Sequence, residues 1–172
     1  MTGEERRMQI LSKLQETDTP LSGTALAKAF HVSRQIIVQD IALIRAENNG
    51  ILSTNKGYLL RSKKTENTMP KRVFFVKHET EQVMDEFMTI LELGGKILDV
   101  AVEHEIYGQI CVDLIIETEE DAVEFCNKLM TCRANPLKVL TDDCHYHTVS
   151  ARSEKLLDFI EEELRRKGYL LT

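Results

Sequence analysis

Four of the five histidines lie after residue 72, where their spacing could create a metal site. His145 and His147 form a His-x-His pair. Alternate residues of a β-strand share a face, so both imidazoles would point in the same direction if the pair lies on a strand. Two imidazoles in this arrangement commonly bind one metal ion.

His78 and Glu86 form a second pair, eight residues apart. The pattern predicts that His78 ends a strand and that Glu86 lies two turns into the next helix, on nearly the same side. Three histidines and one carboxylate suit zinc, nickel or ferrous iron. Spacing alone leaves a second interpretation open, in which the His-x-His pair is incidental and each histidine is a core residue bonded to a backbone carbonyl.

Alternating strand and helix patterns surround these residues and predict a small α+β domain with a mostly antiparallel sheet and helices on one face. The predicted strands are Val73–His78, Lys96–His104, Gln109–Glu117 and Cys144–Ser150. The predicted helices are Thr80–Leu93, which stops at Gly94-Gly95, then Glu119–Cys132 and Ser153–Lys167.

The first 62 residues contain the parts of a winged helix-turn-helix. A helix at Gly3–Glu16 would bury Met8, Ile10, Leu11 and Leu14. Ser22 would cap a second helix, His31-Val32 would form a tight turn, and Ser33 would cap a third helix. Segments Ile51–Thr54 and Tyr58–Arg61 would pair as a hairpin, the wing.

The third helix of this module would present a polar face to the major groove of DNA. Its candidate base-contacting residues are Ser33, Arg34, Gln35 and Gln39, because Arg can pair with guanine and Gln with adenine. Lys56 on the wing, with Arg61, would bind phosphates. The alternative is a winged helix that contacts only proteins, with these side chains merely solvated.

Charge is distributed unevenly along the chain. Residues 1–72 carry 12 Lys+Arg and 7 Asp+Glu, whereas the remainder carries 10 and 21. A basic module before an acidic one is typical of a DNA reader joined to a regulatory domain. We therefore expect a DNA-binding domain at 1–62, a polar linker at 63–71 and an effector- and metal-binding domain at 72–172. The N-terminus lacks an apolar signal core, so we expect a cytoplasmic protein with no membrane partner.

Two resemblances add to this interpretation. The segment LSGTALAKAFHVSRQIIVQDIALIRAENNGI, followed by GYLL, resembles the helix-turn-helix of biotin-repressor-like regulators over about residues 4–61. The segments KHETEQVMDEF, ELGGKILDVAVEHEIYGQI and NPLKVLTDDCHYHT resemble the 3H domain of niacin-responsive repressors. Together the two resemblances cover nearly the whole chain.

The resemblance to niacin-responsive repressors implies a homodimer that binds operator DNA and represses genes for niacin uptake and NAD synthesis, with nicotinic acid as corepressor. It implies a nickel or zinc ion held by His78, Glu86, His145 and His147. His104 matches another characteristic histidine of the domain, and we assign it, with Tyr107, to an effector pocket; the alternative is that His104 makes a structural hydrogen bond at the end of its strand. This chain departs from the family at Cys144 and Tyr146, where a glycine and an apolar residue are usual.

Two alternatives to a niacin-responsive repressor follow from the same residues. In the first, the protein is a metal-responsive repressor and the metal itself is the signal. In the second, it is a metal-dependent hydrolase in which Glu86 acts as a base. Four protein ligands leave little room for water and substrate, and a DNA-binding module gives catalysis no purpose, so we expect the chain not to be an enzyme.

Overall fold

The computed structural model describes residues 1–47, 50–60 and 69–172. The chain divides into two compact units, Met1–Glu66 and Asn67–Thr172. Arg61, residues 48–49 and most of the predicted linker (63–68) lie outside the described residues. In the part that is described, no helix is long and apolar enough to cross a membrane.

The N-terminal unit has the predicted order of helices and strands. Its helices are α1 (Gly3–Gln15), α2 (Gly23–Phe30) and α3 (Arg34–Glu47), and its hairpin strands are β1 (Ile51–Thr54) and β2 (Gly57–Leu60). The Ser22 hydroxyl accepts the Ala25 amide at the start of α2, and His31 ends that helix in the left-handed conformation. Short helices, a tight turn and a hairpin confirm the predicted helix-turn-helix with its wing.

One hydrophobic core holds the N-terminal unit together. Its buried members come from all three helices and from β1: Ile10, Leu14, Leu26, Ala27, Phe30, Ile37, Ile41, Ile44 and Ile51. Met8 was expected in the buried stripe of α1, but its side chain is 62% exposed. The prediction for Met8 is wrong because the inner face of α1 is centred on Ile10 and Leu14, and Met8 lies outside that face.

The wing packs tightly against the start of α2. Tyr58 and Leu21 exchange two backbone hydrogen bonds of 2.9 Å. Gly57 has a φ of +137°, and a Cβ at this position would overlap the Leu21 carbonyl. Only glycine fits this turn, which fixes the hairpin that carries Lys56.

The C-terminal unit is an α+β domain, as predicted. Its strands are β3 (Lys71–Lys77), β4 (Lys96–His104), β5 (Gly108–Ile116) and β6 (Cys144–Ser150), and its helices are α4 (Val83–Glu92), α5 (Glu119–Thr131) and α6 (Glu154–Arg166). The residues at 80–82 form a 3-10 turn before α4, so the predicted helix begins three residues later. Gly94, with a φ of +82°, follows α4 as the expected left-handed stop.

The strands of the C-terminal unit are hydrogen-bonded in the order β5-β4-β6-β3, and their pairings are antiparallel. The last strand in sequence, β6, therefore lies between β4 and β3. The inward residues of the sheet share one core with α4, α5 and α6. The sheet contributes Phe74, Val76, Ile97, Leu114, Ile116 and Val149, and the helices contribute Phe87, Ile90, Ala122, Leu157 and Ile160. The helices thus cover one face of the sheet, as predicted.

Two features of the C-terminal unit were not predicted from the sequence. A 3-10 turn at Leu137–Thr141 precedes β6. The residues after α6 pair with the free edge of β3, where the Lys77 amide donates to the Tyr169 carbonyl and the Leu171 amide donates to the Phe75 carbonyl, each at 2.8 Å.

A buried ion pair between α1 and α3 generates the first prediction. Asp40 is 3% exposed, and its carboxylate accepts hydrogen bonds from the Arg6 guanidinium at 2.6 and 3.3 Å. Asp40→Ala should destabilise the N-terminal unit by about 1.5–3 kcal/mol, the usual loss for a hydrogen bond to a charged group. Faster hydrogen exchange at the α3 amides of the full chain would report this loss. Asp18→Ala, at an exposed position, is the control and should leave α3 protection unchanged; equal protection in both variants would contradict the prediction.

Candidate functional site

The structure brings His78, Glu86, His145 and His147 together in the C-terminal unit. The Nε2 atoms of the three histidines lie 2.8, 3.9 and 3.5 Å from Oε2 of Glu86, in the order His78, His145, His147. All four side chains are at most 3% exposed. Three imidazoles and a carboxylate therefore share one closed space between the sheet and α4.

Three elements position these four side chains. In the β3–β6 register, His145 lies opposite Val76 and His147 lies opposite Phe74, so both histidines project from the face that the helices cover. His78 follows the last residue of β3, and Glu86 lies in the first turn of α4. The chain thus turns from strand to helix directly over the His-x-His pair.

Each histidine of the cluster uses Nδ1 for a hydrogen bond to a backbone carbonyl. The carbonyl partners of His78, His145 and His147 are those of Glu79 (2.8 Å), Asp143 (2.9 Å) and Asp99 (2.6 Å). A carbonyl can only accept, so Nδ1 carries the proton in all three rings. Every Nε2 atom is therefore directed toward Glu86 and is the ring nitrogen left to bind a metal ion, as in metal-binding histidines whose other nitrogen donates to a carbonyl.

The partner of His147 is supplied by an irregularity in β4. The register of β4 shifts between Ile97 and Asp99 on the β5 side, and between Ile97 and Ala101 on the β6 side. At this point the Asp99 carboxylate accepts the Thr148 amide at 2.8 Å, while its carbonyl accepts from His147. The β-bulge thus re-aims one carbonyl at the imidazole, a known use of bulges near functional sites.

The electrostatics of the cluster call for a cation at its centre. An Nε2 lone pair and a carboxylate oxygen repel each other at these distances unless a proton or a metal ion lies between them. Burial raises the pKa of Glu86, but the charge of His147 and hydrogen bonds with the histidines outweigh burial and hold the pKa well below its usual range. Burial lowers the pKa of His145. Burial also lowers the pKa of His147, but the Glu86 carboxylate outweighs this and raises it.

The donor set fits a divalent transition metal. Glu86 Oε1 is buried without a hydrogen-bond partner among the described residues, and unpaired buried carboxylate oxygens are costly. The ligand atoms of His78, Glu86 and His145 lie within 4.8 Å of one another, and those of His147 and Glu86 within 3.5 Å. A cation bound by these atoms would offset the cost of burying the Glu86 carboxylate.

The structure does not bring His104 and Tyr107 into this cluster. They lie at the turn between β4 and β5, where the backbone amides of Ile106 and Tyr107 donate to Nδ1 of His104 at 3.2 and 3.4 Å. Tyr107 is 75% exposed. At about 3.3 Å per residue, His104 is about 16 Å along β4 from Asp99, the partner of His147. In this chain His104 stabilises its turn, and its assignment to an effector pocket stays a prediction.

The predicted DNA-contacting residues lie together at the start of α3 and on the wing. Ser33, Arg34, Gln35 and Gln39 are exposed, whereas Ile37 and Asp40 on the opposite side of the helix are buried. The Ser33 hydroxyl accepts the Ile36 amide at 3.3 Å and begins the helix, as predicted. Lys56 is half-buried in the hairpin turn.

Residues around the cluster that were not predicted from the sequence include Asp99, Lys138 and Tyr169. The ring of Tyr169 lies 5.3 Å from that of His78, and Lys138 donates to the His78 carbonyl. A strand, a 3-10 turn and the C-terminal segment contribute these residues, and no spacing rule links such distant positions. Cys144 lies beside the Asp142 carbonyl, with Sγ at 3.7 Å, and is not among the residues that converge on Glu86.

Comparison with known proteins identifies both units. A family model described as a 3H domain matches residues 71–172, and one described as an HTH domain matches residues 6–59. The chain is 36% identical over 168 residues to the probable transcription repressor NiaR of Thermotoga maritima, which covers 98% of this chain and 94% of that protein. It is 34% identical over 172 residues to the transcription repressor NadR of Bacillus subtilis. This match covers 99% of this chain and 96% of that protein.

These relatives are transcription repressors and not enzymes, so the prediction that the chain is not an enzyme is confirmed. The same finding removes the metal-dependent hydrolase from consideration. Both domain matches and both full-length similarities agree with the resemblance drawn from the sequence. The chain therefore belongs to the family of transcription repressors that includes NiaR and NadR and joins a helix-turn-helix to a 3H domain.

Proposed function

We propose that the protein is a cytoplasmic, DNA-binding repressor of genes for niacin uptake and NAD synthesis, with nicotinic acid as its corepressor. In this proposal the C-terminal domain holds a divalent transition metal through His78, Glu86, His145 and His147. The observation that carries the metal site is the convergence of three Nε2 atoms on one buried carboxylate. The corepressor and the controlled genes come from the resemblance to niacin-responsive repressors.

Nickel and zinc are the metals that the donor set favours, since imidazole and carboxylate ligands suit both. The three Nδ1–H groups held by backbone carbonyls keep the rings in the orientation that a metal requires. Such an ion supplies a fixed positive charge inside an acidic domain. That charge gives the carboxylate or ring nitrogen of nicotinic acid a binding partner that the acidic domain itself does not provide.

Nicotinic acid could bind at either of two places in the proposed repressor: beside the metal, or at the β4–β5 turn near His104 and Tyr107. Nicotinic acid is a single ring with one carboxylate, so it is too short to contact the metal cluster and also His104, about 16 Å along the strand. We favour binding beside the metal, where Phe87 lies against the His147 ring at a centroid distance of 5.8 Å and offers an aromatic neighbour. His104 and Tyr107 would contact nicotinic acid only if it bound at the β4–β5 turn instead.

Repression requires that nicotinic acid favour one of two states of the protein. We propose a homodimer in which the two α3 helices reach half-sites one DNA turn apart, or a multiple of that spacing. Arg34 and Gln35, with Ser33 and Gln39, would read base edges, and Lys56 would bind a phosphate. The effector shifts the equilibrium only by its differential affinity for the two states.

The burial of the cluster supports a second candidate, in which the metal alone is the signal. The four ligand side chains are at most 3% exposed among the described residues, so an organic effector could reach them only after a change of conformation. Such a site would respond to metal concentration without any further ligand. The two candidates differ in whether nicotinic acid adds stability to the metal-loaded protein.

Thermal unfolding of the full chain, treated with a chelator and then supplied with nickel or zinc, tests both candidates. A ligand at about 100 times its dissociation constant should stabilise the protein by about 2.7 kcal/mol. We expect the metal to raise Tm, and nicotinic acid to raise it further only when the metal is present. A Tm that responds to the metal but never to nicotinic acid would establish the metal-responsive candidate, and a Tm that responds to neither would exclude the metal site.

Substitutions separate the cluster from the rest of the chain in the same measurement. The double variant His145→Ala, His147→Ala should lose both increments, whereas His31→Ala, at an exposed histidine of the N-terminal unit, should keep them. Glu86→Gln should lower the Tm of the metal-free chain, because the pKa of the Glu86 carboxyl lies well below its usual range and loss of the carboxylate leaves the buried imidazoles without their charged partner. The same variant should gain little from metal. His104→Ala should keep both increments; loss of the nicotinic acid increment alone would move the effector to the β4–β5 turn.

DNA binding can be tested with a duplex that the unaltered protein selects from random sequences. Arg34→Ala should weaken binding to that duplex by about 1–3 kcal/mol and relax specificity at one base pair. Lys56→Ala should weaken binding to all sequences alike and reduce the slope of log K against log salt by about 1. Lys13→Ala, at an exposed position of α1, is the matched control. Equal affinity of the Arg34→Ala variant and the control would show that α3 does not read bases.

A further inference from the structure

Lys138 is a buried lysine beside the histidine cluster. It lies in the 3-10 turn before β6, and its side chain is 4% exposed. Lysines are almost never buried to this extent unless they are paired. Its Nζ donates a hydrogen bond of 2.7 Å to the His78 carbonyl and one of 2.5 Å to Oδ1 of Asp143.

Both hydrogen bonds of Lys138 end at residues that position the histidines of the cluster, one at a backbone carbonyl and one at a side-chain carboxylate. His78 is itself one of the four converging residues, and Lys138 holds its carbonyl. Asp143 provides the carbonyl that accepts Nδ1–H of His145. One ammonium group therefore ties together the end of β3 and the turn before β6, the two segments that position His78 and His145.

The turn that Lys138 holds has an uncommon backbone conformation. Asp142 and Asp143 both have positive φ, at 53° and 63°, a region that few residues other than glycine, asparagine and aspartate adopt. The Asp143 amide donates to the Lys138 carbonyl at 3.0 Å, so Lys138 contacts this turn through both its backbone and its side chain. Residues in such conformations persist where their surroundings hold them, often beside functional sites.

We propose that Lys138 is a positioning residue of the metal site, acting through the His78 carbonyl and through Asp143. Its cation keeps the Asp143 carbonyl at the distance that fixes the Nδ1–H tautomer of His145, and it keeps the strand end that directs His78 toward Glu86. The Asp143 carboxylate, whose side chain is 34% exposed, balances the charge of Lys138. The ammonium group therefore adds no net charge beside a site that must accept a second cation.

The variant Lys138→Met tests this proposal, which rests on the metal site proposed above. Methionine keeps the length and apolar stem of lysine but removes both hydrogen bonds. Loss of a group that orients metal ligands typically lowers metal affinity 10- to 100-fold, and we expect a loss in this range. The measurement is competition for nickel or zinc between the full-length protein and a chromophoric chelator, at a temperature far below Tm.

The visible absorption of bound Co²⁺ provides a second readout, because it reports the geometry of the ligands rather than the stability of the fold. A positioning role predicts that Lys138→Met changes the Co²⁺ spectrum as well as the affinity. A purely structural role predicts a lower Tm for the metal-free protein, with the Co²⁺ spectrum and the affinity unchanged. That second outcome would overturn the proposal.

Lys77→Met is the matched control. Lys77 also bonds an aspartate of the same turn, Asp142 at 2.9 Å, but its side chain is 44% exposed. Exposed ion pairs contribute little, so metal affinity and the Co²⁺ spectrum should remain within about twofold of the unaltered protein. An equal loss in both lysine variants would assign the effect to the charge of the turn and overturn the role of Lys138.

Asp143→Asn keeps the proposal testable if Lys138→Met does not fold. Asparagine tolerates the left-handed conformation and still accepts from Lys138, but it removes the negative partner of the ammonium. We expect metal affinity to fall by at least threefold, and unchanged affinity would overturn the proposal. If the unaltered chain itself binds no metal, the proposed function fails; if it binds metal and both variants bind equally well, only the role of Lys138 fails.

Discussion

Burial of the Glu86 carboxylate is the constraint on which the C-terminal unit depends. The Glu86 carboxylate has no exposed surface, and a buried carboxylate is costly. The residues that offset this cost are histidines, a residue type that commonly binds metal ions. Three imidazoles approach it through Nε2, each held by a backbone carbonyl at Nδ1. Replacing the whole cluster by apolar side chains of similar volume would be neutral or stabilising, so the stability of the fold does not by itself account for the cluster.

Several elements of the fold are needed to produce this arrangement. β6 must pair with β3 so that its alternate residues face the helices, and α4 must begin soon after β3 so that Glu86 lies above them. The bulge in β4 supplies the Asp99 carbonyl, and the 3-10 turn before β6 supplies Lys138. The site is therefore a product of sheet order, and neither the His-x-His pair nor the His78–Glu86 spacing creates it alone.

Much of this could be predicted from the sequence, because it follows from local rules. Strand alternation places His145 and His147 on one face. The caps at Ser22 and Ser33 are likewise local features. The expected position of Glu86, two turns into its helix, is wrong, because residues 80–82 form a 3-10 turn and Glu86 lies in the first turn of α4. Glu86 meets His78 because the chain turns from β3 into α4 over the His-x-His pair. Met8 could not be excluded from the core by pattern alone, since an apolar residue at the margin of a helical stripe is buried only if a neighbour covers it.

The parts that escaped prediction depend on contacts between distant residues. The bulge at Asp99 responds to two neighbouring strands at once, and Lys138 meets His78 across 60 residues of sequence. A lysine is normally expected at the surface, so the burial of Lys138 becomes visible only in three dimensions. The predicted effector residues His104 and Tyr107 show the opposite case, since a motif can be assigned from resemblance while the fold places it far from the cluster.

The closure of the cluster bears directly on how a signal could reach DNA. A ligand that bound an open, rigid pocket would fill it without changing the populations of two states. A ligand that must displace a packed ring such as Tyr169 or Phe87 to reach a buried cation binds one conformation in preference to another. Under the proposed function, burial would lower the apparent affinity for the effector and would supply the differential affinity that allosteric control requires. In a repressor, a poorly accessible site is for this reason compatible with sensing, whereas in an enzyme it would limit turnover.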